Sequence, residues 1–153
     1  LKGENEGVQF DMDNDGVKDN TGWISGDDGL LALDRNGNGI IDNQSELFGT
    51  DTKLAFDHLA EYDSNNDGTI DANDDVWKDL IIWQDKDSDG ISGNAEMKNL
   101  EHWNINSIQL AHTDHAHEDY QGNILTGTGT FTKLVDGVVS TVGKVLEVLF
   151  NFF

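Results

Sequence analysis

The chain has 153 residues, 30 acidic and 9 basic, for a formal charge of −21. That balance excludes nucleic acid as a partner, because phosphate binding needs clustered Lys and Arg, and it disfavours anionic membrane surfaces for the same reason. With no Cys there is no disulfide, thiol nucleophile or Cys-based zinc site, and no apolar run reaches the roughly 18 residues of a spanning helix, so membrane insertion is not expected.

A chain this acidic folds only if its charge is neutralised, yet 36% hydrophobic residues and four Trp suffice for a core. One compact domain is expected at this length. The acidic residues are organised in four runs that read as calcium loops of EF-hand spacing. In such a loop oxygen ligands occupy positions 1, 3, 5, 7, 9 and 12, and a Gly at 6 makes the sharp turn.

The first run places Asp11, Asp13, Asp15, Gly16 and Asp19 at positions 1, 3, 5, 6 and 9. Position 12 is Gly22, so the closing ligand must come from elsewhere, with Asp27 and Asp28 as candidates. The second run places Asp34, Asn36, Asn38, Gly39 and Asp42 in the same way. Its position 12 is Ser45, and Glu46 lies one residue late, so a wider or kinked loop is expected if Glu46 binds. Leu54, Phe56, His58, Leu59 and Tyr62 then suggest a helix.

The third run, Asp63, Asn65, Asp67, Gly68, Asp71 and Asp74, is complete but closes on Asp rather than the longer Glu. Val76, Trp77, Leu80, Ile81 and Trp83 suggest a second helix, leading into the fourth run. That run, Asp85, Asp87, Asp89, Gly90 and Glu96, fits the pattern at every carboxylate position. Met97, Leu100 and Trp103 suggest a helix after it. Val17, Ile40, Thr69 and Ile91 stand at position 7 of the four runs, where the backbone carbonyl is the ligand. About four calcium ions are expected, and they would bring the charge to about −13.

The last third changes character. Ser107 to Ala111 alternates like a strand, Ile124 to Leu134 is rich in Thr and Gly, and Asp136-Gly137 is a hairpin signal. Gly143 allows a bend or bulge, and Val145 to Phe153 fits a buried strand or a short helix. The expected fold is α+β: EF-hand-like paired calcium loops with short helices, packed against a small antiparallel sheet. The expected organisation is one module over residues 1–153, with irregular calcium loops in 1–50, a paired EF-hand-like part in 51–104 and a β-rich part in 105–153. His112, His115 and His117 crowd one segment beside Asp114, Glu118 and Asp119, but without structural-zinc spacing, and solvated loop histidines explain them better. The Gly137 to Lys144 segment departs from a phosphate loop in its spacing and in Val145. Carboxylates are too numerous to single out a glycosidase pair.

Thr21-Gly22-Trp23, Asp27-Asp28-Gly29-Leu30-Leu31, the Leu33-to-Asp42 run and Glu46-Leu47-Phe48-Gly49 together resemble the self-processing module of iron-regulated RTX (repeat-in-toxin) proteins. Leu59 to Asp63 and Trp83-Gln84-Asp85 continue the likeness. The resemblance implies a calcium-folded module, secreted by a Gram-negative type I system. It implies calcium-triggered cleavage of an Asp–Pro bond at the module's N-terminal edge, and Asp–Lys cross-linking to other proteins. The chain contains no Pro, so that bond would lie before Leu1, no catalytic residue is named, and this segment alone is expected to be inert. A start at Leu1 rather than Met fits a part of a longer protein. The alternative is a structural calcium module of a large adhesin or toxin, without chemistry. An intracellular sensor ranks last, since its Met-rich groove has only Met12 and Met97 to draw on.

Overall fold

The computed structural model describes residues 1–3, 5–50, 52–118 and 122–150, with backbone alone for 116–118 and 140–142. The described residues form ten strands in three antiparallel sheets, one short α-helix and three isolated 3-10 turns. The fold is therefore mostly β, and the expected α+β arrangement of EF-hand helices is corrected.

β1 (Val8–Phe10) and β2 (Asp19–Thr21) make a two-stranded ribbon around the first acidic run. β3 (Leu30–Leu33), β5 (Leu80–Trp83) and β6 (Met97–Asn99) make a second sheet with β5 in the centre. Here the expected second helix fails. Leu80-Ile81-Ile82-Trp83 is a β-branched and aromatic run, and β3 and β6 hydrogen-bond it on both edges. Only a 3-10 turn, Trp77–Asp79, precedes it. The expected third helix fails as well: β6 follows Glu96, and a 3-10 turn, Glu101–Trp103, ends at Asn104 in the left-handed region with φ 55°. The helix expected near residue 54 does form, as α1 (Ala55–Ala60), but with six residues only.

The third sheet contains β4 (Thr69–Asp71), β7 (Ile105–Gln109), β8 (Thr113–Glu118), β9 (Ile124–Val135) and β10 (Val138–Leu149). The long β9 pairs β10 along one edge and β7 and β8 along the other. Asp136 and Gly137 form its hairpin turn with φ of 51° and 76°, the doubly left-handed geometry that matches strand twist. The register slips between Thr141 and Gly143, where Phe131 covers Gly143 so closely that a Cβ there would lie 2.0 Å from the ring. The apolar tail is thus a strand as far as Leu149.

Two apolar clusters form the core. One gathers Val8, Phe10, Met12, Trp23, Ile24, Ala32, Ile41, Leu47 and Trp83. Within it Trp23 meets Phe10, Trp83 and Phe150 at ring-centroid distances of 5.3, 5.4 and 5.7 Å. The other gathers Leu59, Ile70, Val76, Trp77, Leu80, Leu100 and Ile108. Glu147, only 2% exposed, ties α1 to the third sheet by accepting from Phe56 N at 2.8 Å and from the Thr126 hydroxyl.

Beside the second cluster, the Arg35 guanidinium lies over the Phe48 and Tyr62 rings at 5.3 and 5.8 Å and donates to Tyr62 and to the Ser45 and Leu47 carbonyls. His58 packs on the same two rings, and its Nδ1 accepts from Gly49 N at 3.2 Å. Burial, then the charges of Arg35 and Lys53, hold the His58 pKa below its ordinary 6.5. The folded chain therefore binds this proton less readily than the unfolded chain. Stability is full above about pH 6.5 and is lost as the pH falls through the depressed folded value. Urea midpoints in saturating calcium should drop between pH 7.5 and 5.5, and less in His58→Gln than in the wild type. An unchanged pH dependence in that variant would remove His58 from the account.

Candidate metal centres

Each acidic run folds into the same local structure. The first-position carboxylate accepts from the backbone N of the fifth and sixth residues. In the first loop Asp11 takes Asp15 N at 3.2 Å and Gly16 N at 3.0 Å. In the second Asp34 takes Asn38 N at 3.2 Å and Gly39 N at 2.8 Å. In the third Asp63 takes Asp67 N at 3.2 Å and Gly68 N at 2.8 Å. In the fourth Asp85 takes Asp89 N at 3.1 Å and Gly90 N at 2.9 Å. The fifth residue then caps the seventh: Asp15, Asn38, Asp67 and Asp89 accept from Val17, Ile40, Thr69 and Ile91 at 2.7 to 3.0 Å. These are Asx turns, made by the side chains nearest in sequence.

The backbone turns left-handed twice in each loop, at Asn14 and Gly16, Gly37 and Gly39, Asn66 and Gly68, and Ser88 and Gly90. Position 6 has the larger φ, 69° to 87°, against 58° to 62° at Asn14, Asn66 and Ser88, and Gly takes it without a Cβ clash. Strands rather than helices lead into the first, second and fourth loops, and α1 leads into the third.

A further carboxylate is docked across each loop. Glu96 accepts from Lys86 N at 2.8 Å, and Asp74 accepts from Ser64 N and Asp71 N at 2.8 and 2.9 Å. Glu46 accepts from Asp42 N at 2.9 Å and Asn36 N at 3.5 Å. A 3-10 turn, Gln44–Glu46, capped by the Asn43 side chain, absorbs the extra residue and swings Glu46 back over its loop. In the first loop the docked carboxylate is Asp19, which accepts from Met12 N at 3.1 Å. Asp28 is exposed, in a turn whose N–H bonds the Ser25 carbonyl.

Asp11, Asp13 and Asp15, and separately Asp85, Asp87 and Asp89, bring carboxylate oxygens within 4.8 Å of one another. These two acidic clusters could hold a metal ion. The second and third loops place the amide oxygens of Asn36, Asn38 and Asn65 at corresponding positions. One carboxylate in each loop is buried: Asp11 at 7% exposure, Glu46 at 1%, Asp74 at 5% and Asp85 at 0%. Ion pairs among the described residues join Lys53 to Glu61 and His112 to Asp114, and neither includes a loop carboxylate. Desolvation first, then the charges of Asp89, Glu96 and Asp85, raise the pKa of the exposed Asp87.

The loops meet in an unexpected order. A central helix pairing the third and fourth loops was expected, but the second and fourth loops are joined instead. Ser92 Oγ accepts from Ile41 N at 2.7 Å and donates to the Ile41 carbonyl at 3.1 Å. Both residues stand eighth in their loops, a correspondence of spacing that could have flagged the pair. The first loop adjoins the second through Gln44 N and the Asp11 carbonyl, 2.9 Å apart. The first and second loops contribute Met12 and Ile41 to the first core cluster, and the third contributes Ile70 to the second. Trp23 donates its indole N–H to Asp85 at 2.7 Å, a contact across 62 positions with no local signal.

Among the described residues, the partners of His112 lie outside the four loops. His112 bonds the Leu110 carbonyl at 2.7 Å and Asp114 at 3.1 Å, and stacks on Phe56 at 4.4 Å. The side chains of His117, Glu118 and Asp119 lie outside the described residues.

Comparison with known proteins places this chain in a family. The SPM domain profile matches residues 1–150. The chain is similar to the iron-regulated protein FrpA of Neisseria meningitidis serogroup C, with 45% identity over 148 residues, covering 92% of this chain and 13% of that protein. The chain thus spans a small part of the relative's length. From residue 1 to residue 150, it belongs to the SPM domain family.

Proposed function

We propose that this chain is a calcium-folded module of a secreted RTX-type bacterial protein, exported by a Gram-negative type I system. The observation that carries the reading is the buried carboxylate in each of four loops, none of which forms an ion pair with a basic side chain among the described residues. Buried charge is tolerated only when paired or bound to a metal. The donors are all oxygen, from carboxylates, Asn amides and backbone carbonyls, a set that suits a hard cation and disfavours soft metals. Calcium takes six to eight such oxygens in flexible geometry, whereas magnesium demands a smaller octahedron and gives up water reluctantly.

Calorimetry tests the ligand assignment. Glu96→Gln and Glu46→Gln should each remove or weaken one site by about tenfold or more, because each takes a closing charge from an oxygen cage. His115→Ala should leave the isotherm unchanged. Equal losses for all three variants would defeat the assignment.

The finer reading is self-processing, and the SPM match and the likeness to FrpA support it. An Asp–Pro bond upstream of Leu1 would be cut when its Asp carboxylate attacks its own main-chain carbonyl. The proline nitrogen leaves, and a cyclic anhydride forms. Water opens it, or a Lys amine of another protein takes it as an isopeptide. The role of the calcium-folded module is to hold the carboxylate against its target, which raises its effective concentration. A chain extended upstream through an Asp–Pro should shorten within hours of calcium addition, as read by gel and intact mass, and only weakly with magnesium. If it folds with calcium and stays intact, the structural-module reading replaces self-processing.

A further inference from the structure

Residues 1–3 belong to no named strand, and yet they are firmly held. Lys2 forms an isolated bridge with Trp23, donating to its carbonyl at 2.7 Å and accepting from its N at 2.9 Å. The fully buried Asn123 donates a third bond, to the Lys2 carbonyl at 3.0 Å. The Lys2 ammonium donates to Ser88 Oγ at 2.7 Å.

Two of these restraints end in the fourth loop. Ser88 is its left-handed fourth residue. Trp23, the bridge partner, donates its indole N–H to Asp85, the first residue of that loop. Asp85 and Trp23 are both 0% exposed. The loop also lies directly on β1, since a Cβ on Gly90 would come within 2.9 Å of Gln9 O and Val8. Among the described residues, no hydrogen bond joins residues 1–3 to the other three loops.

We propose that the fourth loop is a cation-operated latch for the N-terminal segment. The inference rests on the calcium reading and adds a division of labour among the loops. A cation bound by Asp85, Asp87, Asp89 and Glu96 fixes the Asp85 carboxylate and the Ser88 hydroxyl in the positions that seat Trp23 and Lys2. Without the cation, the carboxylates repel, the loop opens, and both anchors of Lys2 move. Whatever precedes Leu1 is then presented in a defined position only while this loop is filled. Linkage makes the coupling reciprocal: seating Lys2 must tighten cation binding in the fourth loop by the same factor.

Amide NMR with calcium as the titrant separates the loops. Gly16, Gly39, Gly68 and Gly90 each donate to the first carboxylate of their own loop, so each amide reports its own site. Lys2→Met keeps the aliphatic stem and removes the ammonium. It should raise the half-saturating calcium concentration at Gly90 about fivefold, the low end of ordinary coupling. The values at Gly39 and Gly68 should shift by a clearly smaller factor. In the reverse direction, Glu96→Gln in saturating calcium should speed hydrogen exchange at the Lys2 and Trp23 amides about tenfold or more while leaving the Ile81 amide protected.

If Gly90 ignores Lys2→Met, or if all four glycines shift together, the latch is overturned and the calcium reading stands. Unaltered exchange at Lys2 and Trp23 in Glu96→Gln also overturns it. If no glycine amide responds to calcium in the wild-type chain, the calcium reading falls and takes the latch with it.

Discussion

Excess EDTA is expected to unfold this chain, and added calcium to refold it. The loops are not appendages on a finished core. Asp85 is hydrogen-bonded to the buried Trp23, Glu46 is 1% exposed, and the first two loops contribute Met12 and Ile41 to the first apolar cluster. Without a cation, carboxylates about 5 Å apart repel by roughly 1–3 kcal/mol per pair at effective dielectric constants of 80 to 20. With about 1–2 mM calcium and sites near 0.1 mM, each ion contributes about 1.5 kcal/mol. Four ions contribute about 6 kcal/mol, comparable with the whole stability of a small domain. On the proposed function, such a chain would stay unfolded where calcium is scarce and fold where it is plentiful. Far-ultraviolet circular dichroism with and without EDTA is the measurement. A sheet spectrum that survives excess chelator would show that the core holds without the ions.

Trp23→Ala should be the most damaging single substitution in saturating calcium. Trp23 is fully buried, touches Phe10, Trp83 and Phe150, and donates to Asp85. The cavity alone costs about 3–5 kcal/mol. Trp23→Phe keeps most of the ring area and loses the indole N–H, so a cost of about 1–3 kcal/mol is expected from the bond to a buried carboxylate. Val138→Ala, at a position 65% exposed on the third sheet, should stay within about 0.5 kcal/mol. Urea denaturation separates the three. If Trp23→Phe matches the wild type, Asp85 does not depend on that donor.

The acidic loops were legible in the sequence because their geometry is local. Asp11, Asp34, Asp63 and Asp85 each fold their loop by bonding amides four and five residues ahead, so spacing alone specifies the turn and the Gly at its sixth position. The Asp136-Gly137 hairpin was legible for the same reason. The elements between the loops were not. Leu80 to Trp83 is a short apolar run that fits a helix face and a central strand equally well, and only pairing with β3 and β6 selects the strand.

The sequence by itself therefore determined where four oxygen-lined loops lie and where the last hairpin turns, since those structures close over a few residues. Only the tertiary structure decided that strands carry most of the loops, that the second meets the fourth through Ile41 and Ser92, and that Trp23 reaches Asp85. Those outcomes rest on strand pairing and on contacts 51 and 62 positions apart, which no run of neighbouring residues closes by itself.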